Sequence, residues 1–239
     1  MLNKNKLLVF IVTYNSSFRL KKILNKLEHL KKKIKFDVLI SDDCSQDDTM
    51  NYAVKKKYIL IHVHKKNMGY GGNVKFCLDY AIKNNYDYAV MIHGDNQYDC
   101  RYIDKLYKKI NTSNADAVTG SRMMKPSNAL NGKMPIYKFF GNIILTKIFN
   151  YLFNTNFTDA HTGLWIYNLL TVKFIGLKKL DNGYNFDNQL RMKLINLGKK
   201  IIEIPIKTYY RNERSSFHII YAIKFLLELF KEKIRWKKF

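Results

Sequence analysis

Through the first half of the chain, short runs of apolar and β-branched residues alternate with longer stretches of helical period. The runs Leu7 to Thr13, Val38 to Ser41, Ile59 to His64, Tyr88 to His93 and Ala115 to Gly120 read as strands, each followed by a polar or glycine-containing turn. Between them, Leu20, Ile23, Leu24, Leu27 and Leu30 recur at helical spacing behind the N-cap residues Ser16 and Ser17. Tyr102, Ile103, Leu106, Tyr107 and Ile110 repeat that pattern. Strands alternating with helices predict an α/β fold with a mostly parallel sheet covered by helices. After Gly120 the pattern changes. A loop with Pro126, Gly132 and Pro135 leads into an aromatic and aliphatic stretch, Ile136 to Phe153, and then into the turn Asp159-Ala160-His161-Thr162-Gly163. A helix from Phe186 to Leu197, a strand Ile201 to Ile204 closed by Pro205, and a basic segment from Phe217 follow. No internal repeat or long linker interrupts the chain, so one domain is expected.

In an open parallel sheet, ligands bind outside the carboxyl ends of the strands. Those ends are rich in polar side chains here: Thr13-Tyr14-Asn15, Asp42-Asp43-Cys44-Ser45, Asn67-Met68-Gly69 and His93-Gly94-Asp95-Asn96-Gln97. Asp47 and Asp48 suit helix capping, whereas Asp42 and Asp43 at a strand end can accept hydrogen bonds from a ribose or a base. The glycine-rich turn Asn67 to Asn73 offers free N–H groups to an anion, or serves only as a tight turn. Its spacing fits neither G-x-G-x-x-G nor a P-loop. His93, Asp95 and Gln97, at spacing two, put three candidate ligands on one side of an extended segment. That arrangement suits a divalent cation holding a diphosphate, the alternative being a turn capped by Asp95.

Charge narrows the partners. The 239 residues carry 42 Lys plus Arg against 19 Asp plus Glu, a formal net charge of +23, which points to something acidic: a phosphorylated substrate, an anionic membrane face or nucleic acid. A biased, lysine-rich composition with solvated surface charge is the plainer account. Three cysteines, Cys44, Cys77 and Cys100, without C-x-x-C spacing indicate neither a disulfide framework nor a thiolate zinc site, and a reducing cytoplasm is expected. No export signal is read at the start, and no run of roughly 18 apolar residues is long enough to span a bilayer.

Taken in order, these motifs resemble the family-2 glycosyltransferases of type A fold, above all the polyprenol-phosphate (dolichol-phosphate) sugar transferases. Val12-Thr13-Tyr14-Asn15 resembles the family's opening loop, Asp42-Asp43-Cys44-Ser45 with Asp47 and Thr49 its D-D-x-S-x-D-x-T, and Asn67-Met68-Gly69 its N-x-G turn. Asp95 and Gln97 match the end of its D-x-D-x-Q metal motif, Gly120-Ser121-Arg122 its G-S-R, Asp159 with Thr162-Gly163 its D-x-x-T-G, and Glu203-Ile204-Pro205 its E-V-P. Two positions depart: His93 replaces the first metal-motif Asp, and Gln189 stands where many relatives have Glu, leaving Asp187 as the nearest carboxylate.

The resemblance implies an inverting hexosyltransferase acting on a nucleotide-diphosphate sugar with Mg²⁺ or Mn²⁺. Thr13, Tyr14, Asn15, Asp42, Asp43, Asn67, Gly69 and Asp95 would bind the donor, and Asp95, Gln97 and His93 the metal. Asp95, Arg122 and Asp187 would serve catalysis. Arg122, Asp159, Arg211 and Ser215 would bind the acceptor, which the family match makes a polyprenyl phosphate. Asp187 would be the base if the acceptor were instead a hydroxyl. The implied organisation is a catalytic domain over 1–215, with a nucleotide-sugar-binding region over 1–120 and an acceptor-side region over 121–215, and a basic amphipathic helix over 216–239. That helix, with Ile219, Ile220, Ile223, Leu226, Leu227 and Phe230 among Lys and Arg, suits an anionic membrane surface, so a peripheral place on the cytoplasmic membrane face is expected; packing on the core is the alternative. Ile136 to Phe153 is likewise either acceptor-facing or core. A soluble transferase acting on a hydroxyl of a cell-surface polysaccharide or lipopolysaccharide precursor is the competing enzyme. A nucleic-acid binder is disfavoured, because no RNP-like motif, zinc spacing or Arg-rich arm is present.

Overall fold

The computed structural model describes residues 5–53, 56–210 and 219–236. Strand β1 (Leu7–Thr13) is buried along its whole length, because helices cover both faces of the sheet. Its alternate residues feed two cores. Val9 and Ile11 face α1 (Ser17–Lys31), while Leu8 and Phe10 face α2 (Tyr70–Lys83). β2 (Asp37–Asp42), β3 (Ile59–Val63) and β4 (Tyr88–His93) extend the sheet in parallel. Register decides what meets at their ends. Val12 pairs with both Ser41 and His93, and Thr13 with Asp42, so the polar residues following three strands come out on one edge.

After α3 (Tyr102–Ser113), β5 (Ala117–Ser121) leads through α4 (Pro126–Asn131) and α5 (Ile136–Phe153) to β6 (Trp165–Asn168), a strand the sequence pattern did not predict. β6 inserts antiparallel between β4 and β5, giving, with the last strand β7 (Ile201–Pro205), the order β3-β2-β1-β4-β6-β5-β7. α6 (Leu169–Val172) and α7 (Phe186–Asn196) cover the α2 side, and β7 (Ile201–Pro205) pairs parallel to β5. The expected α/β architecture, mostly parallel with flanking helices, is therefore present.

α8 (Ile219–Trp236) packs on α5: Leu229 is buried with Phe149, Phe153 and Met192, and Leu226 lies partly buried against them. Leu227, Phe230 and Ile234 face outward. Among the described residues, no helix is long and apolar enough to cross a membrane.

Candidate active site

The carboxyl edge of β1, β2 and β3 forms the first half of the site. Asp42 is fully buried and turns both oxygens on Ser45, accepting from its N at 2.9 Å and its Oγ at 2.5 Å. Ser45 Oγ in turn accepts from Asn15 N at 2.8 Å, and Asn15 Oδ1 from Gln46 N at 2.9 Å. Asp43 binds the β1 end through its backbone and accepts from Met68 N at 2.6 Å, which draws the Asn67–Gly69 turn into the same crevice. Thr13 Oγ1 is buried there without a hydrogen-bond partner, and Tyr14 stands half-exposed at the rim. The structure thus brings together all seven donor-side residues expected from the first three strand ends. Asp47 acts locally. It caps Thr49, whose hydroxyl accepts from Ser16 N and Ser17 N at 2.6 and 2.8 Å and fixes the start of α1.

The end of β4 borders that crevice. Gly94 is needed for the approach, since a Cβ there would sit 2.7 Å from Thr13 Oγ1. Asp95 accepts from Gln97 N at 2.9 Å through one oxygen. His93 points elsewhere: its Nε2 is 3.3 Å from Tyr70 Oη, and a Cβ on Gly163 would lie 2.6 Å from that nitrogen. Tyr70 Oη donates to Asp187 Oδ2 at 2.7 Å. Among the described residues, no group of three or more His, Cys, Asp or Glu is arranged around a metal position.

The glycines after Asn67 serve a close approach of chains. A Cβ on Gly71 would meet Asp181 O at 2.5 Å, Phe186 Cβ at 2.7 Å and Gly183 O at 2.8 Å, and Gly72 N donates to Asn182 O at 3.1 Å. The segment 181–185 therefore lies across the start of α2, and Tyr184 stacks on Tyr70 with ring centres 5.6 Å apart.

Beyond Tyr70 opens a cavity of about 540 Å³, within the usual range for small-molecule sites. His93, Asp187, Asn185, His161, Lys138 and Glu228 are among its lining residues. Burial raises the Asp187 carboxyl above the usual carboxylate range, against the opposing pull of His93, Tyr70 and Arg191. Its Oδ1 and the Oδ1 of Asn185 are buried without a partner. Burial, helped by the Arg191 charge, pushes His161 down to about 3, so it is neutral at ordinary pH. Arg191 is enclosed by the rings of Trp165, Phe157 and Phe149, at 4.6, 5.4 and 5.8 Å, and none of its side-chain nitrogens has a hydrogen-bond partner.

Arg122 and Asp159 meet each other. The guanidinium grips the carboxylate through Nε and one terminal nitrogen at 2.7 and 2.8 Å, and also donates to His161 O and Tyr210 Oη. Burial alone would raise the Asp159 carboxyl, yet the Arg122 charge beside it holds it well below the usual range. Glu203 fixes the turn that carries Asp159, accepting from Thr158 N and Asp159 N at 2.7 and 2.9 Å. Among the described residues, four of the five guanidinium N–H groups have an acceptor. Arg211 and Ser215 lie outside the described residues.

Tyr70, Tyr184, Asn185 and His161 were not singled out from sequence. Tyr70 sits inside a motif whose signal is its glycines, and His161 inside D-x-x-T-G at a position the motif leaves open.

The comparisons with known proteins agree with this geometry. Residues 8–170 match the Glycosyl transferase family 2 description. An uncharacterized protein of Methanocaldococcus jannaschii is 30% identical, with 98% of this chain and 94% of that protein covered. The undecaprenyl-phosphate mannosyltransferase of Micrococcus luteus is 26% identical over 84% of this chain and 82% of its own. Among solved structures, glucosyl-3-phosphoglycerate synthase from Mycobacterium tuberculosis, in complex with Mn²⁺, UDP and glucosyl-3-phosphoglycerate, superposes with a TM-score of 0.69 at 11% identity, covering 96% of this chain and 80% of that one. With its family match spanning most of the sheet and its strand-end motifs gathered on one edge, the chain belongs to glycosyltransferase family 2 and has that family's type A fold.

Proposed function

We propose that this glycosyltransferase moves a hexose from a nucleotide-diphosphate sugar to a polyprenyl phosphate held at a membrane surface, with inversion at the anomeric carbon. The observation that carries the reading is the surround of the cavity. It is flanked by α5, through Tyr137, Lys138 and Gly141, and by α8, through Glu228. Both helices also carry apolar side chains that are more than half exposed: Ile136, Tyr137, Phe140 and Ile144 on α5, and Leu227, Phe230 and Ile234 on α8. Apolar surface concentrated on two packed helices beside a ligand cavity suits the chain of a lipid acceptor. The named mannosyltransferase relative supports the same acceptor class.

In this reading Thr13, Tyr14, Asn15, Asp42, Asp43, Asn67 and Gly69 hold the nucleotide. Asp95 and Gln97 would hold a hard cation, an ion that needs only one or two carboxylates from the protein. When bound, the cation neutralises charge growing on the departing diphosphate. His93, turned toward Tyr70, supports the Asp187 side of the cavity. Arg122 and Lys138 line the cavity and are assigned to the acceptor phosphate, with Arg211 and Ser215 assigned to it from sequence. A phosphate acceptor is already ionised and requires no base.

A second reading, transfer to a glycan hydroxyl, has Asp187 in its favour: a cavity carboxylate with one unpartnered oxygen is what a general base requires. The deciding experiment incubates the protein and Mn²⁺ with UDP- and GDP-sugars and either undecaprenyl phosphate in detergent or soluble saccharides. It identifies the product and its anomer by NMR. Transfer only to saccharide hydroxyls refutes the lipid-phosphate reading, and retention at the anomeric carbon refutes the single displacement. Flotation with anionic vesicles tests the membrane surface; loss of flotation on Phe230→Ser with Ile234→Ser is expected, and absence of flotation in the unaltered protein refutes it.

A further inference from the structure

Gln189 on α7 uses the two ends of its amide on different elements. Its Oε1 accepts from Asp181 N at 2.6 Å, and its Nε2 donates to Glu232 Oε1 on α8 at 3.2 Å. Each partner leads to a wall of the cavity. Asp181 opens the segment that crosses the start of α2 and delivers Tyr184 and Asn185 to the lining; Lys75 Nζ also holds it, at Leu180 O, 2.7 Å. Glu232 lies one turn beyond Glu228, the α8 residue of the lining. An amide accepts at one end and donates at the other, which is what an N–H on one side and a carboxylate on the other demand. A carboxylate at 189 would still accept from Asp181, but it would oppose Glu232 with like charge.

We propose that Gln189 is a positioning residue that couples α8 to the segment 181–185, so that the two walls of the cavity take their places together. α8 then belongs to the site as well as to the surface. The inference rests on the proposed transfer only for what the cavity holds; the coupling itself is a property of the folded chain.

The test is hydrogen exchange of the full-length protein, followed in peptides covering 180–186 and 226–233. Q189E is expected to exchange faster in both peptides, by about tenfold, the factor that follows from losing a hydrogen bond near the upper end of its usual worth. E232Q alone retains an acceptor for Gln189 and serves as the folding control. Q189E with E232Q restores the donor and acceptor in reverse order and should return both peptides to the unaltered rates. Unchanged exchange in Q189E, or no recovery in the double variant, overturns the coupling. Should Q189E fail to fold, Q189M removes both bonds without adding charge, and acceleration in only one of the two peptides overturns it equally. Turnover of GDP-mannose and UDP-glucose with undecaprenyl phosphate is measured on the same proteins, and Q189E is expected to raise the acceptor KM, with recovery in the double variant. An unaltered protein that transfers from neither donor counts against the lipid-phosphate reading, while the exchange data decide the coupling independently.

Discussion

Replacing Asp159 by Asn keeps the shape of the side chain and removes its charge, which leaves the Arg122 guanidinium buried beside a neutral amide. The pair is almost wholly enclosed, and besides the guanidinium the carboxylate accepts from the Asn142 amide at 2.8 Å and from the Arg122 backbone N at 3.0 Å. Removing one partner of such a pair costs about 3–5 kcal/mol, because the other charge stays in a low-dielectric site. For a chain of this size, each kcal/mol is worth roughly 2–4 °C of melting temperature, so Asp159→Asn should melt about 6–20 °C lower. The exposed pair Lys56–Glu28, at 2.6 Å, is the control: solvent screens it, so Glu28→Gln should leave the melting temperature nearly unchanged. Urea unfolding and thermal melts of the three proteins measure this. The pH dependence has a definite sign. The Asp159 carboxyl is lowered from its ordinary 3.8, so its stabilisation is fully present above that pH and is lost as the pH falls through the depressed value. The gap between the unaltered protein and Asp159→Asn should therefore be constant near neutrality and close only below about pH 4. A variant that melts within about 2 °C of the unaltered protein yet loses turnover would refute the structural role and make the pair a ligand-binding one.

His161 is pushed from 6.5 to about 3 in the folded state, so the unfolded chain binds its proton first as the pH falls. Stability should drop between pH 6.5 and 4 by an amount that His161→Gln removes, up to about 1.4 kcal/mol per pH unit; parallel urea titrations with equal slopes would rule this out. Gly71→Ala should cost about 1–3 kcal/mol, because the added methyl meets two backbone oxygens and Phe186 Cβ within 2.8 Å. At Gly72 the nearest atom is Met68 Cβ at 3.0 Å, a single and milder approach than the three at Gly71, so Gly72→Ala should cost less in the same unfolding assay. Asp95→Asn keeps an oxygen for Gln97 N and should leave the melting temperature unchanged while lowering kcat by about a hundredfold or more at saturating Mn²⁺. Full turnover in that variant would take Asp95 out of the metal assignment.

The strand-end half of the candidate site was legible because parallel strands buried on both faces are continuous apolar runs, and the residues that break each run must lie at its carboxyl end. Thr13, Asp42 and His93 follow three such runs, and the strand register then sets them side by side. β6 escaped for the converse reason. Four residues, Trp165 to Asn168, directly after a turn motif carry too little periodicity to separate a strand from the end of a loop, and their place between β4 and β5 is decided by pairing partners more than 40 residues away. The Arg122–Asp159 pair is another long-range fact. Each residue alone reads as a polar group awaiting a ligand, and only the fold shows that they grip each other, with further guanidinium N–H groups going to Tyr210 and His161 O.

The C-terminal helix shows what periodicity can and cannot resolve. Leu226, Leu227, Leu229, Phe230 and Ile234 do not fit one narrow apolar stripe, so the pattern supported both packing on the core and lying on a membrane. The structure divides them: Leu226 and Leu229 turn toward Phe149 and Phe153, whereas Leu227, Phe230 and Ile234 remain outside. The two readings are therefore compatible, since burial of one stripe fixes the helix beside α5 and leaves a second apolar stripe exposed. Removing the whole segment would expose Phe149 and Phe153, take Glu228 from the cavity and release Gln189 from Glu232, in addition to removing outward apolar surface. Deletion consequently cannot separate membrane attachment from the integrity of the site. Substitutions confined to Phe230 and Ile234 can, because neither belongs to the buried cluster or the lining of the cavity.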